Sequence, residues 1–212
     1  MKPEVIFLDI DNTLIQPLSV TAQNGLIDSL KKERETVKNF EKILSKWRLQ
    51  RKIMLTDERW PGFIERLKKD YLVFGLTKME MGRCGDIENV EAWRCEELKK
   101  HNIVFSNLNA PHNFSCEYQG VFYAQNNQTK GEIVELFLKN LPYCRIILVD
   151  DLLDNLESVE KVCKRHNVAF KGIHFCSPKK EHRQDVWDYQ RKNLIGKYLW
   201  TEDDEALKAL GV

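Results

Sequence analysis

Asp9 and Asp11, in the run Val5-Ile6-Phe7-Leu8-Asp9-Ile10-Asp11-Asn12-Thr13-Leu14, place two carboxylates two residues apart at the end of an apolar stretch. Residues two apart on an extended chain face the same side, so both carboxylates can converge on one cation and leave an oxygen over for attack. A second acidic pair, Asp150 and Asp151, follows the apolar run Arg145 to Val149. Thr77 ends a third run, Tyr71 to Leu76, and Lys130 follows the helix-capping Thr129. Together these are the group types that bind a phosphoryl group beside Mg2+, an ion that prefers hard oxygen ligands and keeps several waters. Asp9, the backbone carbonyl of Asp11, and Asp151 can supply the protein oxygens. Each piece has a plainer structural use: Asp11 and Asn12 in an Asx-type turn, Thr77 as a strand end, Lys130 as a solvated first-turn lysine, Asp150 and Asp151 as helix caps.

The elements that must position these residues alternate between strand and helix patterns. Ligands bind just past the carboxyl ends of strands in open α/β sheets, which is where the acids fall. Leu26, Leu30, Val37, Phe40, Leu44 and Trp47 recur at helical intervals and predict a single helix from about residue 21 to 52, with a basic opposite face. A helix is expected over 61–69, a strand ending at Thr77, a helix over 88–100 and a short strand at Ile103-Val104-Phe105. A hairpin is expected over 116–124, a helix from Thr129, a strand over 145–149, a helix over 153–166, a strand over 168–175, and helices over 179–195 and 202–210. The fold class is therefore α/β: a three-layered α/β/α sandwich with a mostly parallel, Rossmann-like sheet and right-handed crossovers. The core is expected over 1–15 and 61–212, with residues 16–60 inserted as a small helical cap governing access.

In the order of these motifs, Phe7-Leu8-Asp9-Ile10-Asp11-Asn12-Thr13-Leu14, Thr77 after Val73-Phe74-Gly75-Leu76, Lys130, and Asp150-Asp151 with Asn155, the sequence resembles the haloacid dehalogenase superfamily. Trp93-Arg94-Cys95-Glu96-Glu97-Leu98, Tyr118-Gln119-Gly120-Val121-Phe122 and Lys130-Gly131 resemble a poorly characterised, phosphatase-like bacterial branch of it. The resemblance implies that Asp9 is a nucleophile forming an aspartyl-phosphate, and that Asp11 protonates the leaving oxygen and then activates water. It implies Asp9, Asp11 and Asp151 as Mg2+ ligands, with Asp150 a water-mediated or supporting partner. Thr77 and Lys130 would hold equatorial phosphoryl oxygens. Asn12, Thr13 and Lys78 complete the substrate-binding set.

The function so implied is a magnesium-dependent phosphatase acting on a phosphomonoester, either a small phosphorylated metabolite or a phosphopeptide. A phosphotransferase would use the same residues. A non-catalytic protein that binds a phosphorylated or protein partner through the basic helix is the reading from another class. Dehalogenation needs no metal and leaves Asp11 and Asp151 without a purpose.

The 212 residues suffice for one sizeable core with a small insert, and a net charge of +1 gives no global attraction to nucleic acid or anionic membrane. No apolar run is long enough to span a bilayer, and Asp9 and Asp11 interrupt the one nearest the N-terminus. The six cysteines lack Cys-x-x-Cys spacing and read as reduced, which favours a cytoplasmic setting; a periplasmic or secreted one would require a leader already removed. His112 and Cys116 have the spacing of a thiol and its base, although a loop rich in Asn, Pro and Ser accounts for them equally.

Overall fold

The computed structural model describes residues 4–23, 25–108, 114–141, 145–176 and 181–212. Contacts divide the chain into two units, one of Met1–Leu14, Leu55–Met81 and Val90–Ser177, the other of Ile15–Met54, Gly82–Asn89 and Pro178–Val212. The second unit thus takes in the C-terminal segment, which the sequence had suggested for the core, together with most of the expected insertion.

The first unit is built on β1 (Val5–Leu8), whose four side chains are all buried. A strand covered on both faces needs no polar alternation, which is why its sequence is continuously apolar. β1 pairs in parallel with β4 (Leu72–Thr77) on one side and with β7 (Arg145–Asp150) on the other. Beyond β4 lies β6 (Val121–Tyr123), also parallel, and then the short antiparallel β5 (Glu117–Tyr118). Beyond β7 lies the parallel β8 (Ala169–His174), giving the order β5-β6-β4-β1-β7-β8. The α/β class and the mostly parallel sheet are as expected, consistent with a three-layer sandwich.

Four helices belong to this unit among the described residues: α4 (Trp60–Leu67), α5 (Val90–Lys99), α6 (Lys130–Asn140) and α7 (Leu153–Arg165). The core between sheet and helices is aromatic, with Phe7, Phe74, Phe122 and Phe137 meeting edge to face or tilted at 5.3–5.9 Å between centroids. Ile103-Val104-Phe105, expected to be a strand, is not one. The segment is instead tied to β4 by Ser106, whose amide donates to the Val73 carbonyl and whose hydroxyl accepts from the Val73 amide. Gly75 lets Phe105 lie against the strand, since a Cβ there would stand 2.8 Å from its ring.

The second unit contains the strand pair β2 (Ile15–Pro17) and β3 (Ile53–Leu55), the latter ending at the boundary. Its helices are α1 (Val20–Gln23), α2 (Leu26–Lys32), α3 (Phe40–Gln50), α8 (Gln184–Lys197) and α9 (Asp203–Leu210). The single helix expected over 21–52 is therefore three. Gly25 and Asn39, both left-handed at φ 91° and 60°, interrupt it, yet the apolar positions still gather into one cluster with Leu194 and Trp200. The expected start of α8 near residue 179 lies outside the described residues. Among the described residues no helix is long and apolar enough to cross a membrane.

Candidate active site

The site forms where β1 and β7 end side by side. The Asp9 amide donates to the Val149 carbonyl at 2.9 Å, which continues the parallel ladder one residue past β1 and sets Asp9 beside Asp150. The chain then turns tightly. Asn12 adopts φ 64°, a conformation Asn tolerates better than most residues, and the Leu14 amide closes the turn on the Ile10 carbonyl at 2.9 Å. This brings Thr13 back over Asp9, where its hydroxyl donates to Oδ2 at 3.0 Å. Thr56 fastens the turn from outside, its hydroxyl donating to the Thr13 carbonyl and its amide to that of Leu14.

Lys130 enters from the first turn of α6. Thr129 caps that helix in a full capping box: its hydroxyl accepts from the Glu132 amide at 3.2 Å, and Glu132 Oε2 accepts from the Thr129 amide at 2.6 Å. A lysine at a helix N-terminus is electrostatically misplaced unless anions answer it. Two do: Lys130 Nζ donates to Asp9 Oδ1 and, at 2.6 Å, to Asp150 Oδ2. The Lys130 side chain is 1% exposed. Burial pulls its proton affinity down, but the Asp9 and Asp150 carboxylates outweigh this and hold it above the ordinary lysine value.

Asp150 is itself fixed by α7, since its Oδ1 accepts from the Leu152 amide and from Asn155 Nδ2, both at 2.9 Å. Asn155 thus serves as a neutral donor to a buried carboxylate. Asp151 lies beside them. Carboxylate oxygens of Asp9, Asp150 and Asp151 all lie within 4.8 Å of one another. Burial pushes the Asp9 carboxyl up, Lys130 pulls it down and Asp150 adds to the rise; the balance lies at about 7. Burial and the Asp150 charge likewise raise Asp151.

Asp11 does not join this cluster through its carboxylate. Both its oxygens accept from Arg94 Nη2 at 3.0 Å, while Arg94 Nη1 donates to Glu97 Oε2 at 2.7 Å. The converging acids are therefore Asp9, Asp150 and Asp151, with Asp150 in the place expected for Asp11. Thr77, buried at the end of β4, lies in the strand next to β1, and its carbonyl accepts from the Ala124 amide. Lys78 is exposed. Sequence reasoning assigned no role to Arg94, although Glu91, Arg94 and Glu97 stand at helical spacing on α5 and all three are buried. His112 lies outside the described residues, and Cys116 is buried and free.

This geometry defines an α/β protein with a carboxylate-rich centre at adjoining ends of its two central parallel strands. Residues 2–199 match the family described as Protein of unknown function (DUF2608), and the chain belongs to that family. It is also 25% identical over 229 residues to "Uncharacterized protein RP296" of Rickettsia prowazekii (strain Madrid E), an alignment covering 97% of this chain and 82% of that protein. No solved structure matches the chain. These findings correct the resemblance to the haloacid dehalogenase superfamily: membership of a family of unknown function and likeness to an uncharacterised rickettsial protein are what they show, and neither links the chain to that superfamily. The chemistry must rest on the residues themselves.

Proposed function

We propose that the protein is a magnesium-dependent phosphatase that hydrolyses a phosphomonoester through an aspartyl-phosphate on Asp9. The observation that carries this is the convergence of three carboxylates within 4.8 Å around one buried ammonium. Three acids against one lysine leave an excess of negative charge in a desolvated place, and hard oxygen donors with that charge fit Mg2+. Asp9, Asp151 and the backbone carbonyl of Asp11 would hold the ion, with Asp150 kept in support by Asn155 and Lys130. When bound, the ion neutralises phosphoryl oxygens and relieves their repulsion of an attacking carboxylate.

The chain's own groups account for the remaining steps. Thr13 and Lys130 hold the two Asp9 oxygens in a fixed plane, which orients the nucleophile before substrate arrives. An Asp9 oxygen forms a bond to phosphorus as the ester P–O bond breaks, and the leaving oxygen takes a proton from Asp11. Asp11 then removes a proton from water, whose oxygen attacks phosphorus and breaks its bond to Asp9, releasing inorganic phosphate. The Lys130 ammonium and the Thr77 hydroxyl stabilise the oxygens that carry charge during transfer.

The test is hydrolysis of an aryl phosphate with and without Mg2+. Turnover that requires the ion and is abolished in Asp9→Asn agrees with the proposal; turnover undiminished in Asp9→Asn removes the mechanism. A protein that binds phosphate analogues tightly and turns over no phosphoester is a binding protein instead.

A further inference from the structure

We propose that Arg94 is a positioning residue that holds the Asp11 carboxylate apart from the Asp9, Asp150 and Asp151 cluster and so reserves it for proton transfer. The proton-transfer half of this rests on the phosphatase reading above; the holding half rests on geometry alone. Two carboxylates separated by one residue at a strand end would, without a restraint, compete for the same cation. Here they are divided between two cations of the chain: Asp9 faces Lys130, and Asp11 faces Arg94.

The arginine is built for this purpose by its helix. α5 places Glu91, Arg94 and Glu97 on its buried side, at spacings where apolar residues would ordinarily lie. The Arg94 side chain is 2% exposed whereas that of Asp11 is 41% exposed, so the cation reaches Asp11 from the protein side while the carboxylate stays partly exposed. One end of the guanidinium is anchored on Glu97 and its Cζ lies 5.2 Å from the centroid of the Trp93 ring. A planar group held at one end and against an aromatic side chain presents Nη2 in a fixed direction, which a lysine ammonium, a point charge on a flexible stem, does not do. The salt bridge is thus a device of orientation.

Two measurements decide the matter. In the full-length protein, nitrogen NMR of the Arg94 guanidinium is expected to show hindered Nη protons that change in Asp11→Asn and persist in Asp9→Asn. Arg94 signals indifferent to Asp11→Asn overturn the inference, whatever the activity. Kinetics with an aryl phosphate supply the second readout. Because Arg94→Met alone removes a charged partner of the buried Glu97, the variant used is Arg94→Met with Glu97→Gln. It is expected to lower kcat by about 100-fold, as misplacement of a reacting group does, with KM within about twofold. Added to Asp11→Asn it is expected to cost nothing more, and Glu97→Gln alone is expected to lose only a small part of kcat. Full turnover in the double variant, or a loss that multiplies with that of Asp11→Asn, overturns the inference. A wild-type protein without turnover refutes the phosphatase reading and with it the proton-transfer role, and the NMR result stands by itself.

Discussion

A buried lysine between two aspartates is only as stable as its pairing. Lys130 pairs with both Asp9 and Asp150, whose side chains are 8% and 0% exposed. Its replacement by Met is expected to destabilise the protein by about 3–5 kcal/mol, the usual cost of stranding a buried charge, as measured by urea unfolding. Added Mg2+ is expected to restore part of that loss. Glu202, in the second unit, supplies a pH dependence of known sign. Its Oε1 accepts from the Lys52 amide and Trp200 Nε1, while its Oε2 has no hydrogen-bond partner among the described residues. Burial raises its carboxyl above the ordinary value, so the stability it contributes is full below the unfolded value and is lost as pH rises through the raised one. Glu202→Gln is therefore expected to melt a few degrees higher than wild type at pH 8 and at the same temperature at pH 4. At this scale the strand-end acids and Lys130 were legible because apolar runs ending in charge announce themselves. Arg94 was not, since a buried cation on a helix makes its sequence look like that of a solvated face.

The helices of the site are set by close packing more than by propensity. α6 lies against α7 at Gly131, where a Cβ would meet the Ser158 carbonyl. Gly131→Ala improves helix propensity by up to about 1 kcal/mol but forces this contact apart, and overpacking of this kind costs about 1–3 kcal/mol. The expected result is a net loss of stability in chemical unfolding and, on the proposed function, a fall in aryl phosphate turnover, because the displaced turn carries Lys130. Loss of turnover without loss of stability would place the effect in the site rather than in the packing. Apolar periodicity located most elements, including the hairpin of β5 and β6 and the helix from Lys130. It failed over 21–52 because the same residues satisfy one long helix and three short ones alike. The breaks depend on the backbone at Gly25 and Asn39, which periodicity does not sense.

Across the whole molecule, the fold class could be read from the alternation of patterns, whereas the membership of the second unit could not. That membership depends on partners far apart in sequence: Asp203 accepts from the Ser19 hydroxyl at 2.6 Å, the Val20 amide at 2.7 Å and Gln190 Nε2 at 2.8 Å. These bonds tie α9 to the start of α1, and Trp200 packs edge to face on Trp47 at 6.5 Å. Both Trp200 and Asp203 lie beyond the residues matched by the family. A chain ending at Leu199 is expected to lose protection from hydrogen exchange and proteolysis throughout 15–54, while β1, β4 and β7 keep theirs. Equal loss in those three strands would show that the second unit's integrity is needed by the first.

Among the described strands of the main sheet, β1 comes first in the chain, ahead of both of its pairing partners. Val5 lies between Leu72 and Ile146, so this wholly apolar segment leaves the ribosome with both of its hydrogen-bonding edges open, and the second edge waits until β7 has been made. Asp9, one residue past the tip of β1, therefore meets Asp150 only after β7 has been made, and any pause before β7 exposes a sticky nascent chain to aggregation or to a chaperone.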